Sequence, residues 1–385
     1  MAVGISRIKS LYVATQSTWA TDPDADGSDY RFVHARDFSP APDFGEPIER
    51  ELQDDTFDSS GIIPGAEGGA FSFKTELRGS GTAAASTVAA IHGEMGLSLL
   101  AQFGAVNLGT GTTFSAGWTT TSGDVAVATT INVGDIIYRL ASAGVYEARA
   151  VTVKVGSTLT VAPAWSGTPA NTDVCYAMAN YRAASSGFGY EALCMKGDNG
   201  YEITCLGCIG NVKIESLSAR KVPLLAFDYL IDDPDFASAK GSLAATTDAY
   251  PSAVVTRRAP FYYNGTATEC AELSFDLGND RKPIPSNGGA QGRSGWKVVG
   301  QSRIFSVKVQ RDEAYLTAYQ AKTTFPIFTF LDGGLGNMVA VYAPNCQIVV
   351  PPPAEEVEGQ DWMTLTIRAL QPAATTFAPV NLAIG

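Results

Sequence analysis

Cys205 and Cys208, in the run Cys-Leu-Gly-Cys, are the residues most obviously spaced for chemistry. Such a pair can supply half of a zinc site or cycle as a redox dithiol. Zinc needs four ligands, commonly a second such pair or nearby histidines. The only histidines, His34 and His92, are far away in sequence. The pair also lies in a strand-like run, YEITCLGCIGN, not at a helix N-terminus where a thiolate is stabilised. It reads as two buried core thiols. A Ser or Cys hydrolase needs a base, usually histidine. His92 falls on an apolar helical stretch and reads as packing, and His34 precedes an acidic stretch and reads as surface.

The remaining patterns also fall short of chemistry. GGAQGRSG (288–295) and GGLGN (333–337) lack the Lys-Ser/Thr of a phosphate loop and read as loop and turn. Asp22, Asp24, Asp26 and Gly27 start like a calcium loop, but Val33 stands where the liganding Glu belongs. Asp232–Asp233 and Glu355–Glu356 are paired carboxylates in exposed-looking turns, with no sign of the fixed separation a glycosidase needs. Asn264-Gly-Thr266 is a sequon only in a secreted eukaryotic setting. No catalytic residue, metal ligand or cofactor site is assigned, and the expectation is a protein that is not an enzyme.

Composition narrows the class. The 385 residues are 45% hydrophobic and 17% charged, enough for real cores and too little charge for a disordered chain. With 39 Gly and 20 Pro between short Val/Ile/Tyr/Phe runs, the chain is expected to be mainly β. The net charge of −12 lacks the basic footprint that grips phosphates. No stretch reaches the length of a membrane span, and the run MAVGISRIKSLYVATQS has no apolar core of signal-peptide length, so synthesis and folding in a cytoplasm are expected. Six cysteines are too sparse for a disulfide scaffold.

The elements that would position any site follow from periodicity. Strands are expected at 5–17 and 71–77, and a helix at 82–103 with Ile91, Met95, Leu97, Leu99 and Leu100 on its apolar side. Residues 105–184 are rich in Thr, Gly and Val and read as an inserted β module, with strands at 126–132, 135–141, 146–154, 158–163 and near 174–181. Strands FGYEALCM, YEITCLGCIGN and VPLLAFDYL close the first series, and 237–262 reads as a linker. The second series has a strand at 271–277, a Gly-rich loop, a strand at 297–309, a helix at 310–322 and a strand at 324–331. MVAVYAP, CQIVV and MTLTIRAL complete it.

The two series match in order. FSFKTEL before the first helix parallels RIFSVKV before the second, and VPLLAFDYL parallels WMTLTIRAL. A helix midway through a β series must bury its apolar side on a sheet. Each copy is therefore expected to be a two-sheet sandwich or open barrel flanked by one helix. The expected units are 1–104 with 185–236, the insert 105–184, the linker, and 263–385. A long loop leaves each copy between two strands, which makes a protruding hairpin suited to a neighbouring subunit.

At LSFDLGNDRKPIPS, RIFSVKVQRDEAYLTAYQAKTTFPIFTFLDGGLGN and EGQDWMTLTIRALQPA the chain resembles the tail tube (major tail) proteins of long-tailed phages. TCLGCIGNVKIESLSARKVPLLAFDYL is similar to the closing strands of that family's first half. The chain departs from the pattern in a long, acidic loop at 36–70 and a large linker. The resemblance implies rings stacked into a hollow tube through which DNA leaves the capsid without specific binding. It implies homotrimeric rings for duplicated members and hexameric rings for single-domain members, with the tape-measure and other tail proteins as partners and the virion as location. Three chains at −12 give about −36 per ring, which suits a conduit that must not grip phosphates. The arms at 44–70 and 278–296 would then reach the next ring, Glu46, Glu49, Glu51, Asp54 and Asp55 meeting Arg281, Lys282 or Arg293. The insert would face outward. Two other readings are a carbohydrate- or receptor-binding virion module, with Trp118 and Trp165 stacking on sugars, and a neck or capsid protein.

Overall fold

Alternating apolar residues dominate the structure as they dominate the sequence. The computed structural model describes residues 8–23, 29–43, 68–79, 95–115, 117–128, 130–197, 202–215, 217, 221–235, 243, 259–288, 292–357, 359–373 and 377–385. The protein is mainly β, with antiparallel sheets and two helices among the described residues.

The first half contains β1 (Ile8–Gln16), β2 (Arg31–Val33), β3 (Ala35–Asp43), β4 (Gly68–Glu76), helix α1 (Met95–Phe103) and β5 (Gly104–Leu108). A separate sheet follows, built from β6 (Thr112–Thr113), β7 (Ser122–Asp124), β8 (Ile136–Ser142), β9 (Val145–Val155), β10 (Thr158–Ala162) and β11 (Val174–Ala177). The chain returns through β12 (Ala179–Ala183), β13 (Tyr190–Gly197), β14 (Glu202–Glu215), β15 (Leu224–Ile231) and β16 (Asp233–Asp235). The second half opens with β17 (Phe261–Tyr263), β18 (Thr266–Thr268), β19 (Cys270–Asp276), β20 (Asn279–Pro285), β21 (Arg293–Gln301) and β22 (Ile304–Gln310). Helix α2 (Glu313–Gln320), β23 (Phe325–Asp332), β24 (Met338–Ile348), β25 (Ala354–Val357), β26 (Gln360–Ala369) and β27 (Asn381–Ile384) complete the chain.

Six strands in each half are ordered alike. The first half runs β3-β4-β15-β14-β13-β1, every pair antiparallel. The second runs β19-β22-β26-β24-β23-β17, again antiparallel. The match extends to residues: Phe71-Ser72-Phe73-Lys74 on β4 corresponds to Phe305-Ser306-Val307-Lys308 on β22. Even the bulges correspond, one in β3 between Arg36 and Ser39 and one in β19 between Cys270 and Glu272. The inward faces of both halves merge into a single hydrophobic cluster, including Phe73, Phe227, Leu193 and Cys205 from one and Phe305, Ile367, Ile327 and Val339 from the other.

Several sequence expectations need correction. Residues 126–132 are not a strand: Ile131 N–H bonds the Ala128 carbonyl in a turn, and the Lys154 ammonium donates to both Ala128 and Ile131 carbonyls. The strand expected at 297–309 is two, because Arg303 takes a positive φ of 45° and the chain changes sheets there. Much of the Gly-rich loop before it is ribbon, since 279–285 and 293–296 pair as β20 and the start of β21. Gly278 (φ 63°) starts that ribbon, and a Cβ there would collide with Ser302. Helix α2 spans less than 310–322, since Asp312 is its N-cap and accepts from Ala314 N–H at 2.8 Å. MVAVYAP and CQIVV form one continuous strand, β24, and β25 and β27 lay beyond the expected set. Ile91 and His92 lie outside the described residues, and α1 buries Ser98 and Gln102 as well as Met95 and Leu99.

Candidate assembly interface

The best-defined polar surface in the molecule joins its two halves. β14 is long enough to serve both. One side pairs with β15 and then β16, and the other pairs first with β13 and then, at Lys213 and Ile214, with Asp276 and Phe275 of β19. Leu277 N–H donates to the Val212 carbonyl at 3.1 Å, and Leu217 N–H to the Leu273 carbonyl at 2.7 Å. Asparagines close the junction. Asn211 donates to Asp276 at 2.9 Å, and Asn279 donates to the Gly210 and Gln102 carbonyls at 3.1 Å each. The Asn279 bonds give partners to polar groups that are buried at the junction.

The ribbon β20–β21 then folds back over the first half. A lone two-stranded ribbon is marginal in water, so it needs this support. Arg281 donates to the Asp228 carbonyl and carboxylate, both at 2.6 Å. Arg293 pairs with the Asp232 carboxylate, donates to the Asp232 carbonyl at 2.9 Å and lies over the Trp296 ring. Tyr190 donates to the Trp296 carbonyl at 2.6 Å. Asp232 is 1% exposed, and burial outweighs the Arg293 charge, holding its carboxyl above the ordinary range. It is therefore a buried member of an ion pair, not a carboxylate in an exposed turn.

These contacts decide where the sequence-picked cations stand. Arg281 and Arg293 are engaged within their own chain. Lys282 is exposed and, among the described residues, makes only a 3.5 Å pair with Asp280. Glu46, Glu49, Glu51, Asp54 and Asp55 lie outside the described residues.

The inserted sheet supplies a second internal interface. One face holds its own core around Phe114, Trp118, Ile137, Val151 and Trp165. The other face, with Ile136, Tyr138, Ala148 and Ala150, packs on Phe328, Phe330, Met338 and Tyr342 of the second half. A polar latch secures the root. Asn381 on β27 donates to the Gly134 carbonyl at 2.7 Å and to Asn180 at 3.0 Å, and Asn180 accepts from Ile136 N–H at 2.8 Å. Trp118 and Trp165 are 7% and 3% exposed, and the Arg139 and Arg149 guanidiniums lie about 5.0 and 5.1 Å from the Trp165 ring. Neither ring is free to stack on a sugar.

Groups with perturbed acidity are core residues. Cys205 and Cys208 are buried in β14, and burial pushes both thiols up, Cys205 to about 12, away from thiolate chemistry. Glu191 is fully enclosed. Burial pushes its carboxyl up to about 7, although Ser98 (2.7 Å) and Gln102 (3.0 Å) donate to it. Sequence inspection missed Glu191, because its partners come from α1, about ninety residues earlier in the chain. Among the described residues no cluster of three His, Cys, Asp or Glu side chains could hold a metal ion. No helix among them is long and apolar enough to cross a membrane.

No family model matches the chain, and no curated protein matches it. The functional reading therefore rests on the geometry above and on the sequence resemblance.

Proposed function

We propose that this chain is a structural subunit of a phage tail tube, forming stacked rings around a channel for DNA. The observation that carries the reading is the six-strand order repeated in both halves, down to the bulge in each first hairpin. Two tube-type units, 1–104 with 185–236 and 263–385, would then lie side by side, the insert 105–184 acting as an outer brace. Two matched units per chain favour a ring of three chains with sixfold-like symmetry. The seam between the halves supports this, since it already places one unit edge to edge with the next. The net charge of −12 suits a conduit that releases phosphates. The sugar-binding alternative loses its support with the burial of Trp118 and Trp165.

Negative-stain microscopy and native mass spectrometry of the purified chain test the proposal. Rings or rods with a central channel and three chains per ring are expected. A six-chain ring would overturn the pairing of the halves as equivalent units, and a monomer at all concentrations would overturn the tube.

A further inference from the structure

Within the chain, the seam uses one outward edge of each half. The first half contributes Val212–Ile214 of β14, and the second contributes Phe275–Leu277 at the end of β19. The repeated strand order locates the counterparts, which pair with no further strand among the described residues. Phe275 faces Phe305 as Pro40 faces Phe71, so Pro40 and Pro42 of β3 take the places of Phe275 and Leu277. On the other side, Ile348 faces Ile367 and Ile367 faces Phe305, just as Gly210 faces Tyr229 and Tyr229 faces Phe71. Val212–Ile214 therefore corresponds to Val350-Pro351-Pro352.

Prolines remove donors from both edges, at 40 and 42 in β3 and at 352 beyond β24, where Val350 keeps its N–H. A proline fits a ladder only with its nitrogen turned away from the paired strand. Pro40 and Pro42 thus present nitrogens without hydrogens at the outer edge of β3, whose sole pairing among the described residues is with β4. Leu277, the counterpart of Pro42, is the residue whose N–H holds the Val212 carbonyl inside the chain. The second edge is also kinked. Ile348 faces Ile367 while Ala354 faces Met363, six residue steps against four, and Pro351–Pro353 occupy the excess. Exposed Glu355 and Glu356 follow directly. Prolines, a bulge and charge are the devices that keep sheet edges from pairing.

We propose that these prolines bar a second copy of this chain from extending the sheet, so that β3 of one chain meets the β24–β25 edge of the next without a backbone ladder. The covalent seam is hydrogen-bonded and the chain-to-chain seam is held by side chains alone. Free subunits then stay apart until an assembly closes, instead of adding end to end. The inference rests on the ring reading in one respect: it takes the neighbour at these edges to be a second copy.

The test compares wild type with Pro40→Val/Pro42→Val, alone and combined with Pro352→Val. Circular dichroism first confirms that each is folded, and the single Pro42→Val substitution serves if the multiple variants are not. Sedimentation velocity and negative-stain microscopy then follow association across a concentration series. Restored donors are expected to lower the concentration for association by about tenfold or more, into open or irregular particles. Variants that keep the wild-type threshold and particle shape overturn the proposal. If wild type forms no rings, the ring reading fails. The edge inference still stands if the variants associate below the wild-type threshold, and falls if they too remain monomeric.

Discussion

The outer faces of the two halves are built on the same strand order and carry apolar residues of different size. In the first half, β13 and β14 present Ala192, Cys194 and Leu206 outward, in one small cluster with Tyr12 and Phe32 of the neighbouring strands and Tyr30. In the second, β23 and β24 present Phe328, Phe330, Met338 and Tyr342, covered by the inserted sheet. The inward faces do not diverge in this way: Leu193, Met195, Ile203 and Cys205 join the same core as Ile327, Leu331, Val339 and Val341. The lesson is that a strand's two faces answer to different partners. One face is constrained by the shared core, and the other by whatever the chain lays over it.

The largest expected effect breaks this comparison directly. Phe328→Ala removes a ring, 3% exposed, from the insert's seat and should destabilise by about 4 kcal/mol. Its counterpart by position, Cys194→Ala, should cost only about 1 kcal/mol. Urea unfolding of both variants checks the ratio, and equal losses would show that the outer faces are energetically alike. Next is the ribbon that ties the halves together. Arg293→Ala leaves Asp232 buried without its cation and should cost about 3 kcal/mol, with faster hydrogen exchange in β20 and β21.

A third test sharpens a difference inside the core. Glu191 faces Cys208 on β14 as Phe325 faces Cys346 on β24, so it occupies on β13 the place that Phe325 holds on β23. Its folded carboxyl is raised to about 7 from an ordinary value of 4.5, so the folded state binds the proton more tightly than the unfolded state. Its contribution is therefore fully present below about pH 4 and is lost as pH rises through about 7. Glu191→Gln should match wild type at pH 4 and exceed it by about 2–3 kcal/mol at pH 8.5. Denaturant midpoints across that range check it, and a pH-independent difference would remove Glu191 as the cause. The smallest effect is expected at Lys282→Ala, which loses one exposed 3.5 Å pair and should change stability by less than about 0.5 kcal/mol.

How much of this was legible in the sequence depends on how local each signal is. FSFKTE and FSVKVQ alternate strictly, and β4 and β22 sit where that alternation put them. The Ala/Leu/Tyr run marked α2, although the cap that starts it, Asp312 with its side chain on Ala314 N–H, lies inside the expected span. The ribbon was less visible because Pro283 and Pro285 and its glycines read as loop, while its stability comes from Asp228 and Asp232 about fifty to sixty residues away. β27 is a four-residue strand, NLAI, too short to show a period, and it exists because β24 and β12 flank it. Trp118 and Trp165 looked like sugar platforms in a Thr-rich stretch, and only the closing of the small sheet put them in its core.

By itself the sequence determined the alternation that makes this a β protein, the acidity, the matched order of two strand series and the spacing that leaves Cys205 and Cys208 without further ligands. Those properties are written in residue type and period, which need no distant partner. Tertiary structure alone decided that β14 holds β19, that the arginines of the arm serve their own chain, and that the insert braces the second half. Each of these is a choice among possible partners for an edge or a face. Such a choice depends on contacts between residues tens to hundreds of positions apart, which no local pattern encodes.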